Sequence, residues 1–183
     1  GSLAYFLPSM LFLWFFVFSV PTGILLNKIG RNNTVLLSLV VTLPALIIPL
    51  ISYSFITMLI SFTFLGIGNT LMQVSLNPLI AGLVSKERMA STLTFGQFVK
   101  AIASFIAPIL AAWAVIRFAD WRMILFPLFL TILVLVIILL FLTKVDEPKA
   151  ENKSTSFRAS FSLLGDVTVL FLFLGIMAHV GLD

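Results

Sequence analysis

Four groups of polar side chains interrupt an otherwise apolar sequence, and any chemistry must lie with them. Asn69, Gln73 and Asn77 recur at every fourth position. On a helix that spacing puts three amides on one face, each able to donate and accept hydrogen bonds. Gln97, Lys100 and Ser104 follow at i, i+3 and i+7, again one face, and add a cation. His179 and Asp183 are spaced i, i+4, so they can interact and carry a proton near neutral pH. The fourth group is a short basic turn from Gly23 to Arg31, in which Gly23 and Gly30 bracket Asn27 and Lys28. None of these is a hydrolytic or metal constellation. The sequence has no HExxH, no Ser/His/Asp arrangement and no cysteine, so neither a metal nor another cofactor is expected.

The surroundings decide what such groups can be. Of 183 residues, 61% are hydrophobic and 10% charged, and the mean hydropathy is +1.20. A soluble domain carries about 25% charged residues, so this inventory cannot cover a water-facing surface. The composition therefore predicts an all-α membrane protein. A helix needs roughly 20 apolar residues to cross a bilayer. Six runs approach that length: 4–26, 34–52, 55–84, 92–116, 121–143 and 163–183. They are continuously apolar without alternation, which argues against strand spans. The first is too long for a signal-peptide core and has no basic leader, so it is read as a retained span.

Basic residues set the orientation. Lys28, Arg31, Lys86, Arg88, Lys144, Lys149, Lys153 and Arg158 fall on alternate connections, whereas the opposite side has only Arg117 and Arg122. That bias places 27–33, 85–91 and 144–162 in the cytoplasm and residue 1 outside. The net charge of +4 thus reports orientation in a lipid bilayer rather than a nucleic-acid partner. Segment 144–162, rich in Lys, Glu, Asn and Ser, has the composition of a connector rather than a folded domain.

Polar groups inside spans are costly and mark function by default. Two successive striped helices point to a shared water-filled cavity; the alternative is that the amides form interhelical hydrogen bonds of packing value only. Lys100 lies eight residues inside its span, ~12 Å from the cytoplasmic end. Either its stem snorkels towards water, or its head stands in the cavity to bind an anionic or hydroxylated ligand or to pair with a carboxylate. His179 falls ~16–20 Å beyond Asp166 to Thr168. It is either half of a proton-carrying pair or a satisfied packing histidine, with Asp183 nearing the far interface. Gly66, Gly68 and the series Ala103, Ala107, Ala111 have the small-residue spacing that lets another helix approach closely.

Longer motifs supply a family. PTGILLNKIGR (Pro21 to Arg31) resembles the helix 2–3 signature of the major facilitator superfamily. GIGNTLMQVSLNP (Gly66 to Pro78) looks like helix 4 of the fucose permease-like sugar:proton symporters, and FGQFVKAIASFIAP (Phe95 to Pro108) is similar to helix 5 of that group. Asp120-Trp121-Arg122 resembles the usual start of helix 6. The resemblance implies that residues 1–143 form helices 2 to 6 of an N-terminal half-bundle. Residues 144–162 would then be the cytoplasmic linker between halves, and 163–183 helix 7, the start of the C-terminal half. Helix 1 and the rest of the C-terminal half are expected in a remainder, in the same protein or on another chain. What the resemblance implies is a secondary active transporter of a bacterial inner membrane, with no enzyme activity. It would move a small polar solute, a sugar or sugar derivative, by alternating access in symport with protons.

In such a transporter the two stripes, Asn69, Gln73 and Asn77 with Gln97, Lys100 and Ser104, would bind the solute. His179 and Asp183 would couple protons, and Gly23, Asn27, Lys28, Gly30 and Arg31 would gate. The chain departs from the pattern at three positions. Asn27 stands where the signature usually has aspartate, Gln73 where the symporters have a protonatable glutamate, and Lys100 where they have an asparagine. The cation at Lys100 admits an acidic sugar or other anion as solute. The competing expectation is a non-transporting membrane scaffold or partner-binding module derived from a half-transporter.

Overall fold

The computed structural model describes residues 6–118, 122–143 and 165–171. Among them the regular structure is helical: α1 (Phe6–Ile29), α2 (Arg31–Ile51), α3 (Phe55–Leu83), α4 (Lys86–Phe118) and α5 (Arg122–Leu142). Helices α2 to α5 are each long and apolar enough to cross a bilayer, and α1 has 24 residues. The chain divides into two compact units, 1–150 and 151–183. In the second, residues 167–171 are helical, and Asp166 Oδ1 accepts the backbone N–H groups of Thr168 at 2.8 Å and Val169 at 3.4 Å. That is an N-cap satisfying donors the first turn leaves open. The linker 144–162, and the rest of the expected sixth span with His179 and Asp183, lie outside the described residues.

The breaks between helices are tighter than hydropathy suggests. The expected loop 27–33 is helical except at Gly30, whose φ of 88° and ψ of 165° lie in a region essentially confined to glycine. The chain reverses there in one residue. The Gly30 N–H donates to the Leu26 carbonyl at 3.0 Å, and its carbonyl accepts the N–H of Thr34 at 3.2 Å and the Thr34 hydroxyl at 2.7 Å. The expected loop 85–91 is likewise reduced to Val84 and Ser85, with α4 starting at Lys86 instead of residue 92. Lys86, Glu87, Arg88, Met89 and Ala90 are all good helix formers. Charge ends the hydrocarbon-embedded stretch, but it does not end the helix. Between α2 and α3, Ser54 and Thr57 form a reciprocal capping box.

Helix α3 is the centre of the first unit, packed on α2 and α1, while α2 also packs on α5. The contacts of α4 with α3 and with α5 are sparse. The interior is built from small hydroxyl residues: Thr22, Thr34, Ser38, Thr70 and Ser75 are all buried. Most return their proton to a carbonyl of their own helix. Ser38 donates to Val35 at 2.6 Å, Thr70 to Gly66 at 2.8 Å and Ser75 to Leu71 at 2.5 Å. Hydroxyls satisfied in this way let helix backbones approach without stranding a donor in lipid.

Gly66 and Gly68 serve the close approach expected of them. A Cβ on Gly66 would lie 3.0 Å from Trp14 Cβ, and one on Gly68 would overlap the Thr42 hydroxyl. Two interhelical hydrogen bonds add direction: Trp14 Nε1 to Thr63 Oγ1 at 3.2 Å and Ser61 Oγ to the Ala45 carbonyl at 2.5 Å. The outer surface carries large apolar side chains such as Phe16, Ile116 and Phe141, as a lipid-facing surface requires.

Candidate functional site

The two faces of α3 differ in kind. One carries Gly66, Thr70, Leu71, Ser75 and Leu79 and is buried. The other presents Asn69, Gln73 and Asn77, all exposed on the open side. Along that stripe Gln73 Nε2 donates to Asn69 Oδ1 at 3.2 Å, the i, i+4 contact that the spacing anticipates.

Opposite the stripe, α4 contributes Thr92, Gly96, Gln97 and Lys100. With the three amides and the apolar Met72, Leu76, Ile80 and Leu93, they line a cavity of about 270 Å³. That is close to the lower end of the roughly 300–1,000 Å³ typical of small-ligand sites. Each amide offers an acceptor oxygen and two N–H donors, and the ammonium offers three donors. Such a lining suits a small molecule dense in hydroxyl or carboxylate oxygens.

Five of the six expected solute contacts therefore border one cavity. Ser104 does not. It lies two turns, ~10 Å, beyond Gln97 on α4. There it borders a neighbouring, mainly apolar cavity of about 400 Å³ between α4 and α5, with Lys100, Ala103, Ala107 and Phe129. Lys100 stands at the junction of the two. Ala103 and Ala107 line this opening rather than receiving a closely packed helix, and among the described residues α4 is exposed along most of its length. Thr92 and Gly96 were not anticipated. Their spacing to Lys100, i, i+4 and i+8, was available in the sequence, but neither side chain stands out by charge or amide chemistry.

Helix α4 starts at Lys86, before its apolar run, and carries a basic residue near each end. Arg88 and Arg117 are about 43 Å apart along the helix, which matches the ~40–45 Å of a bilayer with its headgroups. Lys100 then lies ~18 Å from Arg88 and ~25 Å from Arg117, inside the hydrocarbon layer. The Lys100 stem can extend part of the way towards the cytoplasmic headgroups, or keep its head in the cavity that it lines.

The basic turn meets the stripe at its end. Arg31 Nη1 donates to the carbonyl oxygen of Pro78 at 2.8 Å, one residue beyond Asn77. Pro78 has no N–H, so the Val74 carbonyl has already lost its helical donor at this point of α3. A bond from a side chain to a backbone oxygen 47 residues away leaves no sequence signal. Asn27 and Lys28 are exposed at the end of α1, and Gly23 has open space around its Cα. At the opposite end of the unit, the Arg122 guanidinium lies over the Tyr53 ring, 4.3 Å from its centroid. Among the described residues no cluster of His, Cys, Asp or Glu could hold a metal ion.

A helical membrane unit with an amide-lined cavity between two of its spans has the build of a solute carrier. The chain belongs to the Major Facilitator Superfamily, whose family profile matches residues 1–182. Over 101 residues, 54% of the chain, it is 32% identical to the glucose/galactose transporter of Brucella abortus biovar 1 (strain 9-941). The glucose/galactose transporter of Brucella abortus (strain 2308) matches to the same extent. The aligned stretch covers 24% of the length of each relative. No solved structure matches the chain.

Proposed function

We propose that this chain is part of a secondary active transporter that moves a sugar or sugar derivative by alternating access in symport with protons. The observation that carries this reading is the cavity itself, in which amides from α3 and α4 meet beside Lys100. The likeness to the glucose/galactose transporters of Brucella abortus supports the hexose class. In this reading Asn69, Gln73, Asn77 and Gln97 replace the water around the solute's hydroxyls, and Lys100 adds a charged donor. Ser104 extends the polar path into the adjoining cavity. His179 and Asp183 take and release the coupled proton.

The turn Gly23–Arg31 gates, and the Arg31 bond to Pro78 ties its movement to the end of the stripe. Residues 1–143 form the half-bundle, 144–162 the linker and 163–183 the first helix of the other half, with the remainder of the transporter as partner. The membrane is the bacterial inner membrane, and Gly30 and Ser85 face the cytoplasm, as the distribution of basic residues requires.

The test is uptake of labelled D-glucose and D-galactose by the full-length protein in proteoliposomes, with and without an imposed pH gradient. Leaving a solute hydroxyl unpaired costs about 1–3 kcal/mol, so Gln73→Ala or Asn77→Ala is expected to lower uptake about ten- to hundredfold. Thr131→Ala is the control. Its hydroxyl is exposed on α5 and bonded to the Pro127 carbonyl at 2.8 Å, away from the cavity, and uptake should not change. Uptake indifferent to the gradient removes proton coupling. No uptake by any assembled form leaves the scaffold reading.

A further inference from the structure

Lys100 is the only charged residue that α3, α4 and α5 carry away from their ends. It stands at bilayer depth, where an ammonium without a counter-charge is costly. Among the described residues no carboxylate lines either cavity that Lys100 borders. The acidic residue of its own helix, Glu87, is thirteen positions away, ~20 Å along the axis. The apolar cavity offers the ammonium no acceptor but the Ser104 hydroxyl, whereas the other holds the amides of Gln97, Gln73 and Asn77. Amide oxygens accept its protons but do not neutralise its charge. Among the described residues these helices supply Lys100 no anion.

Building on the transport reading above, we propose that the solute supplies it: the substrate is a sugar acid. Its carboxylate pairs with Lys100, and its hydroxyls are held by Gln97, Gln73 and Asn77. Neutral hexoses fill the same amides but leave the ammonium uncompensated, so they bind more weakly.

The matched probes are D-galacturonate and D-galactose, which differ only in a carboxylate for a hydroxymethyl group at C6. Both are offered to the full-length protein in proteoliposomes, as labelled substrates and as competitors of each other. A charge-assisted contact predicts that D-galacturonate is preferred about ten- to hundredfold. Lys100→Gln should erase that preference, and Lys100→Arg should keep it. Competition by D-galacturonate on the wild type needs no variant, so a misfolded Lys100→Gln protein does not remove the test. Protection of Leu93→Cys, a lining position with no assigned solute contact, from a thiol reagent in a cysteine-free background reports binding without transport. Uptake of D-galactose with neither uptake of nor competition by D-galacturonate overturns the sugar-acid proposal and leaves the transport reading standing. If neither compound is taken up and neither protects Leu93→Cys, both fall.

Discussion

Gly68→Ala probes a close contact between α3 and α2. Gly68 is buried on α3 against α2. The added Cβ would overlap Thr42 Oγ1 and sit 3.0 Å from the Ser38 carbonyl oxygen and 3.3 Å from Thr42 Cβ. Thr42 can rotate away, but its hydroxyl donates to that same Ser38 carbonyl at 2.8 Å, so rotation gives up the bond. The loss costs about 0.5–1.5 kcal/mol. Crowding of a backbone oxygen, which cannot rotate away, adds ~1–3 kcal/mol. Alanine's better helix propensity returns about 1 kcal/mol. The net expectation is destabilisation by roughly 1–3 kcal/mol.

Thr42→Ala removes the overlapping oxygen, so the double variant should recover ~1 kcal/mol beyond additivity. The assay is SDS-induced unfolding in mixed micelles, followed by tryptophan fluorescence for both singles and the double. Gly23→Ala, with nothing within 4 Å of its new Cβ, is the control and should be neutral or slightly stabilising. A Gly68→Ala protein as stable as wild type, or a strictly additive double, would refute the close-approach argument.

Gly30→Ala should destabilise the same unfolding transition by ~1–3 kcal/mol, because φ 88° with ψ 165° is a glycine conformation. Gly30→Asn should be no better, since asparagine eases the left-handed helical region and not this one; rescue by asparagine would show that the turn has another geometry. At the other end, the Tyr53 ring contact should contribute about 0.5–1 kcal/mol, so Arg122→Gln should cost less by that amount in a Tyr53→Leu background than in the wild type. Equal costs in both backgrounds would assign Arg122's contribution to other contacts.

The helical class and the polar stripes were legible because both rest on period and composition. An apolar run of bilayer length admits few other structures, and amides four residues apart share a face whatever packs beside them. Helix ends were less legible. Hydropathy changes where lipid meets headgroup, whereas a helix ends where its backbone bonds stop, so Lys86–Ser91 and Asn27–Ile29 are helical although charged or polar. Ser104 shows the limit of face arithmetic. It shares an azimuth with Gln97 but borders the neighbouring cavity, beside Phe129 of α5, rather than the amide-lined one, and only the packing of the other helices determines that. The Arg31 bond to Pro78 was illegible for another reason: its acceptor is backbone and carries no residue identity.

The site and the core depend on the same helix for opposite reasons. On its packed face α3 presents glycines and short hydroxyl side chains satisfied within their own helix. That face fits tightly against α1 and α2 and leaves little room to adjust. Its other face carries amides whose donors and acceptors are longer, outward and only partly spent on one another, as the Gln73–Asn69 bond shows. Polar groups unspent at bilayer depth are affordable only where water or a solute reaches them. The sparse contact between α3 and α4 is what admits it. The cavity, where Lys100 and the amides meet, thus lies at the sparsely packed side of α3, and the glycine and hydroxyl interface at its closely packed side.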